Sequence, residues 1–145
     1  MSEARIRNLT ELDIDGITRI DERITGRYRP DVWEQRVVYY IRRDAEAPKV
    51  AEQDGKVVGF MLGEVRGGEF GLDEPTGWLE FFGVDPSARG GGVGRRLTEA
   101  LLDHFRSRGA RITRTMVAAR DTEIDSFLRA MGFAPAPLTA LEKPL

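Results

Sequence analysis

Val84-Asp-Pro-Ser-Ala-Arg-Gly-Gly-Gly-Val-Gly-Arg-Arg-Leu97 is the stretch on which the fold turns. Before it runs Trp78–Val84, WLEFFGV, an apolar strand carrying one acid; Asp85-Pro86 ends it. After it, Val93, Leu97, Leu101 and Phe105 recur every four residues, which predicts a helix over Val93–Arg108 with Gly109 as its stop. Between strand and helix lie Gly90, Gly91, Gly92 and Gly94. Glycine permits positive φ and close approach of the backbone to a ligand. The free N–H groups and dipole at a helix start attract an anion. Arg89, Arg95 and Arg96 add positive charge, so a diphosphate is the natural guest.

The rest of the chain extends the same alternation. Ala4–Leu9 reads as a first strand. Thr10–Ile24 reads as an amphipathic helix, with Leu12, Ile14, Ile17, Ile20 and Ile24 on its stripe and Thr10 as N-cap. Asp31 is expected to cap a second helix, Val32–Arg43. Lys49–Gln53 and Lys56–Arg66 form a hairpin through Asp54-Gly55. Gly67–Gly77 is a loop or hairpin tip. Arg111–Ala118 reads as a strand, Asp121–Met131 as a helix stopped by Gly132, and Leu138–Glu142 as a last strand. Strands alternating with helices predict an α/β fold. No linker divides the chain, so one domain over residues 1–145 is expected.

Composition narrows the function. The 145 residues carry a net charge of −2, against the basic footprint of a nucleic-acid binder. The absence of cysteine removes disulfides, thiolate zinc sites and a cysteine nucleophile, and a single histidine removes a His-rich metal site. No apolar run approaches the ~20 residues of a membrane span, and the charged N-terminus is unlike a signal peptide. A cytoplasmic protein that needs no metal, nucleic acid or membrane is the expectation.

Which diphosphate the loop takes follows from its spacing. No Gly-Lys-Ser/Thr follows, against a nucleotide-hydrolysing P-loop. Gly90 and Gly92 begin a dinucleotide fingerprint, but Arg95 stands where its third glycine belongs. Arg89-x-x-Gly92-x-Gly94 does fit the pyrophosphate loop of the GNAT N-acetyltransferase superfamily, which it resembles. Val84-Asp85-Pro86 is similar to that family's strand-to-loop junction, and Phe127-Leu-Arg-Ala-Met-Gly-Phe133 to its late helix ending in Gly-Phe. The resemblance covers nearly the whole chain and is sharpest over Trp78–Arg108 and Asp121–Phe133.

The resemblance implies a GNAT-like domain with a mixed, partly splayed sheet flanked by helices. It implies transfer of an acetyl group from acetyl-CoA to a primary amine by direct attack in a ternary complex. The amides of Arg89, Gly90, Gly91, Gly92, Val93, Gly94 and Arg95 would cradle the CoA diphosphate. Backbone near Phe82, Gly83 and Val84 would hold the pantetheine arm and thioester, with an N–H stabilising the oxyanion. A small-molecule amine is favoured over a protein N-terminus. Dimers are common in such families, so a homodimer is open.

Deprotonating a lysine-like amine at pH 7 costs about 4.6 kcal/mol, whereas a peptide α-amine costs about 1 kcal/mol. Glu80 is the candidate base. By period two it shares a face with Trp78, Phe82 and Val84, and burial there would raise its pKa. The other reading of Glu80 is a structural carboxylate bonded to an arginine or an open backbone edge. The acceptor pocket implied by the resemblance is bordered by the first two helices and offers Arg23, Arg27, Tyr28, Arg29, Trp33 and Tyr39. From these, Arg27, Tyr28 and Trp33 are the candidate substrate contacts. The three arginines would receive a carboxylated substrate or form a solvated turn, and Trp33 is also a core candidate.

Two positions depart from the family pattern. Leu128 stands where many members carry a tyrosine that protonates the CoA thiolate. Asp121 stands where an Asn often contacts the CoA arm, and Asp121 also reads as an N-cap. His104 reads as a packing or surface residue. The rival reading is a non-catalytic acyl-CoA-binding sensor or partner module.

Overall fold

Hydrophobic alternation in the middle strands sets the architecture. The computed structural model describes residues 3–145. The strands are β1 Arg5–Asn8, β2 Lys49–Gln53, β3 Lys56–Arg66, β4 Thr76–Val84 and β5 Ile112–Arg114; the helices are α1 Ile14–Thr25, α2 Pro30–Arg43, α3 Val93–Ser107 and α4 Thr122–Ala130. The sheet runs in sequence order, antiparallel from β1 to β4, and β5 closes it parallel to β4. An α/β fold with a mixed sheet is therefore present. Two compact units divide the chain: the first ends at Thr115 and holds the whole sheet with α1 to α3, and the second, Met116–Leu145, holds α4.

The two faces of the sheet carry separate cores. Phe60, Leu62 and Val50 pack with Ile17, Ile20, Trp33, Val37 and Tyr40, beneath α1 and α2. Met61, Leu79 and Ala51 pack with Val93, Leu97, Leu101 and Phe105, beneath α3. Each large apolar side chain so covered contributes about 1.5–3 kcal/mol. Phe105 lies flat on the sheet because β3 and β4 present glycine there: a Cβ on Gly77 would come within 2.2 Å of its ring.

Local physics shifts several expected boundaries. Thr10 does cap, through a capping box with Asp13, but it opens a short 3-10 turn, Glu11–Asp13, ahead of α1. Leu12 therefore falls off the helical stripe and is 94% exposed. Pro30, not Asp31, begins α2, since its fixed φ and missing N–H suit the first helical position. Thr76 and Gly77 belong to β4 rather than to the loop before it. The strand expected over Arg111–Ala118 pairs only at Ile112–Arg114. No strand forms over 138–142; that tail is proline-rich and irregular.

Candidate acetyl-CoA site and acceptor face

Among the described residues, β5 pairs parallel with only the first part of β4 and leaves the rest of that edge open toward the glycine loop. β5 pairs only with Thr76, Gly77 and Trp78, and Thr115 Oγ1 donates to Leu79 O at 2.7 Å. From Glu80 to Val84 the ladder on that side is over. Backbone groups alternate between edges. Asp85 N–H donates to Val58 O at 2.8 Å, and Gly83 is in register with Phe60. Gly83 thus faces β3, and the backbone of Phe82 and Val84 faces the open edge. Arg89 Nε reaches Val84 O there at 3.3 Å.

The loop itself is built of backbone. Asp85 accepts from Ser87 N at 3.0 Å and from Ser87 Oγ at 2.8 Å, and pairs with Arg23 of α1. Burial pushes the Asp85 carboxyl upward, but its bonds from Ser87 and the charge of Arg23 hold it below the usual carboxylate range. Past this anchor, Gly90 and Gly92 adopt φ of +85° and +81°, and Gly92 caps α3. The first backbone bond of that helix runs from Arg96 N to Gly92 O. Among the described residues the amides from Gly90 to Arg95 have no hydrogen-bond partner. They lie on an exposed loop and first helical turn with no acid in it. Such an arrangement has the chemistry of an anion cradle, which a diphosphate would fit.

The side chains of Arg89 and Arg95 are exposed, and Arg95 lies 3.8 Å from Glu99. Asp121 accepts from Ile124 N at 3.2 Å, which is the N-cap geometry. Leu128 is buried. His104 is also mostly buried, with Nε2 2.7 Å from Asp44. Arg108 joins the same carboxylate at 3.0 Å, and the pair borders a cleft of about 330 Å³ with Arg43, Glu64 and Val65.

Glu80 occupies an unexpected place. The β3–β4 register passes from Leu62↔Phe81 to Gly63↔Leu79, so Glu80 is the extra residue of a β-bulge. Phe82 and Val84 turn toward α3, whereas Phe81 packs with the α1–α2 core. Glu80 Oε1 accepts from Tyr40 OH of α2 at 2.8 Å and from Arg66 at 2.7 Å. Glu80 thus does not share the face of Phe82 and Val84; the bulge breaks period two and places two successive side chains toward α2. Period two fails wherever a bulge inserts, and nothing in WLEFFGV announces one.

A polar network spreads from Glu80. Arg66 bridges to buried Glu64 at 2.7 Å, which also accepts from Tyr39 OH at 2.9 Å and Arg43 at 3.0 Å. Burial pushes Glu64 up, yet these donors hold it below its ordinary value. Burial and the Glu80 bond push the Tyr40 hydroxyl far up, so it stays a donor.

The arginines read as either a carboxylate receptor or a solvated turn are separated by their partners. Arg23 is taken by Asp85, and Arg29 by Asp21 at 2.7 and 3.0 Å. Arg27 is exposed, its N–H donating to Thr25 Oγ1. Tyr28 is half exposed beneath the Arg19 guanidinium. Trp33 is 3% exposed, edge-on to Phe60 and Phe81. The residues sequence reasoning missed are Tyr40, Arg66 and Arg36. Arg36 stacks over Phe81 at 4.0 Å and Trp33 at 4.7 Å. Its position in the α2 stripe with Trp33 and Tyr40 was the available signal.

The Acetyltransferase (GNAT) family model matches residues 14–133. The chain belongs to this family. Its relatives include the mycothiol acetyltransferase of Thermobispora bispora, 39% identical over 84 residues, covering 58% of this chain and 28% of that protein. The mycothiol acetyltransferase of Nocardia farcinica is 32% identical over 108 residues, covering 74% and 33%. The chain thus spans about a third or less of the curated relatives it matches. Among solved structures, the aminoglycoside N-acetyltransferase AAC(6')-Iy in complex with CoA superposes with a TM-score of 0.85 at 21% identity, covering 99% of this chain and 96% of that one. That likeness establishes the GNAT fold. Among the described residues no helix is long and apolar enough to cross a membrane.

Proposed function

We propose that this GNAT protein is an N-acetyltransferase that moves an acetyl group from acetyl-CoA to a primary amine, a small-molecule amine in preference to a protein N-terminus. The observation that carries the reading is the continuity of two backbone features. The unpartnered amides from Gly90 to Arg95 meet the free edge of β4 at Phe82 and Val84. One cradles a diphosphate; the other offers a peptide-like edge to the pantetheine arm. Acetyl-CoA supplies the activated acyl group, and direct attack by the amine displaces the thiol.

Within this reading Glu80 is the base. Its Oε1 is held by Tyr40 and Arg66, while Oε2 has only a 3.5 Å contact from Arg66. Oε2 is the atom that takes the amine proton, directly or through one water. Tyr40 and Arg66 fix the carboxylate, as a catalytic base requires. Phe82 N–H would stabilise the oxyanion; its facing the open edge two residues from Glu80 supports this role. In this reading water protonates the departing thiolate. Arg27 and Tyr28 border the acceptor at the solvent side; Trp33 acts from beneath by supporting Phe81.

The test is CoA-thiol release from acetyl-CoA across peptides, polyamines, amino acids and carboxylated aromatic amines, with calorimetric CoA binding on the same sample. Turnover with one amine class is expected. CoA binding without turnover on any class would contradict the enzyme and point to an acyl-CoA sensor. No CoA binding would remove the loop assignment itself.

A further inference from the structure

Arginines on this protein are almost always neutralised where they are partly buried. Arg7 lies against Asp13, Arg29 against Asp21, and Arg66 against Glu64 and Glu80. Arg114, buried in the sheet, bonds Glu74 and Thr76. Arg36 is the exception. It is partly buried, and among the described residues it has no hydrogen bond or ion pair; its contacts are the faces of Phe81 and Trp33. The nearby carboxylate, Asp21, already accepts at both oxygens from two nitrogens of Arg29. Two guanidiniums therefore stand beside one carboxylate. Burial, then repulsion from Arg29, lowers the Arg36 pKa, although the group stays charged at neutral pH. A stacked guanidinium keeps its planar N–H edge free for a carboxylate fork.

Its position gives that edge a purpose. Arg36 and Tyr40 are one turn apart on the same face of α2, about 6 Å along the axis. Arg36 lies over Phe81, and Tyr40 holds Glu80, the next residue of the bulge. An anion site and a proton acceptor are thus set side by side on one surface, spaced for a small molecule that carries both groups. We propose that the acceptor is a carboxylate-bearing amine, an amino acid or amino-benzoate type, whose carboxylate pairs with Arg36 while its amine faces Glu80. This rests on the acetyltransferase reading and names its substrate class.

The experiment compares matched pairs: amino acids against their α-carboxamides, and 4-aminobenzoate against 4-aminobenzamide, as acceptors for the wild type, Arg36→Gln and Arg36→Lys. The readout is the ratio of kcat/KM for acid over amide. A charged hydrogen-bonded pair predicts a wild-type ratio of about 10 to 100 for at least one pair, falling toward unity in Arg36→Gln and partly restored in Arg36→Lys. A merely structural Arg36 would lower both members together and leave the ratio unchanged, which overturns the proposal. So does a wild-type preference for the amide. A second arm separates this from failure of the enzyme reading. N-acetylated products of the same acids are titrated by calorimetry into the CoA-saturated protein. Binding that is lost in Arg36→Gln supports the anion site even without turnover; no binding of any of these acids to the wild type overturns it.

Discussion

In the proposed account the glycine loop and the acceptor face would each hold a charged ligand, with opposite materials. The loop uses backbone: six consecutive amides, two left-handed glycines and a helix dipole. The acceptor face uses side chains from three separated segments, Tyr40 and Arg36 from α2, Arg66 from β3 and Glu80 from β4. A backbone site is local, so its affinity depends on a few adjacent residues. A side-chain site depends on how strands register, so distant substitutions reach it.

The largest effect expected from breaking this comparison is at the loop. Gly92→Glu places bulk and negative charge at the cradle and should weaken CoA about a thousandfold by calorimetry, as the loss of two charge-assisted bonds implies. Gly92→Ala, which adds only left-handed strain of about 1–2 kcal/mol, should shift thermal stability more than affinity. Equal CoA affinity in Gly92→Glu and wild type would place the diphosphate elsewhere.

Next comes the proposed base. Glu80→Gln should lower kcat/KM about 100-fold for alkylamines of high pKa and only a few-fold for aromatic amines that are already neutral. A uniform loss across amines would make Glu80 a structural partner of Arg66. Gly63→Ala sharpens the contrast from a distance. Its Cβ would meet Trp78 O at 2.3 Å, at the register shift that creates the bulge. A loss of about 1–3 kcal/mol in urea unfolding is expected, with turnover reduced more than CoA binding. Retained stability and turnover would mean the bulge tolerates a wider strand spacing.

The smallest effect concerns pH. Asp13, Asp21, Glu64 and Asp85 all lie below their ordinary values in the folded protein: burial pushes each up, and hydrogen bonds and facing cations more than offset it. Groups with depressed folded pKa contribute stability that is complete above the unfolded value, near pH 4, and lost as pH falls through the folded value. Melting temperature should therefore be flat from pH 7 to 5 and fall below about pH 4. Glu64→Gln should lower it at pH 7 and reduce the acid slope; an unchanged slope would assign the acid loss to Asp13, Asp21, Asp85 and Asp44, which Arg108 and His104 likewise hold below its ordinary value.

The same contrast explains what the sequence made legible. Arg89-x-x-Gly92-x-Gly94 is read directly because backbone conformation is written in neighbouring glycines. The helical stripes of α2 and α3 and the Asp54-Gly55 turn are local too, and each element formed where its pattern lay. Glu80 was legible as a lone acid in an apolar strand, but its side of the sheet was not, because a bulge depends on the partner strand. The Arg23, Arg27 and Arg29 cluster looked like one site in sequence. In space Asp85 and Asp21 claim two of its members. Arg36 escaped notice because freedom from a partner is a property of the whole fold.

The central claim is that backbone amides from Gly90 to Arg95, with the β4 edge at Phe82 and Val84, hold CoA. Backbone amide chemical shifts followed by NMR during a CoA titration test it directly. The account predicts the largest shifts at Gly90, Gly91, Gly92, Gly94 and Arg95, with a second group at Phe82 and Val84. Saturable binding that leaves those amides unmoved would contradict it.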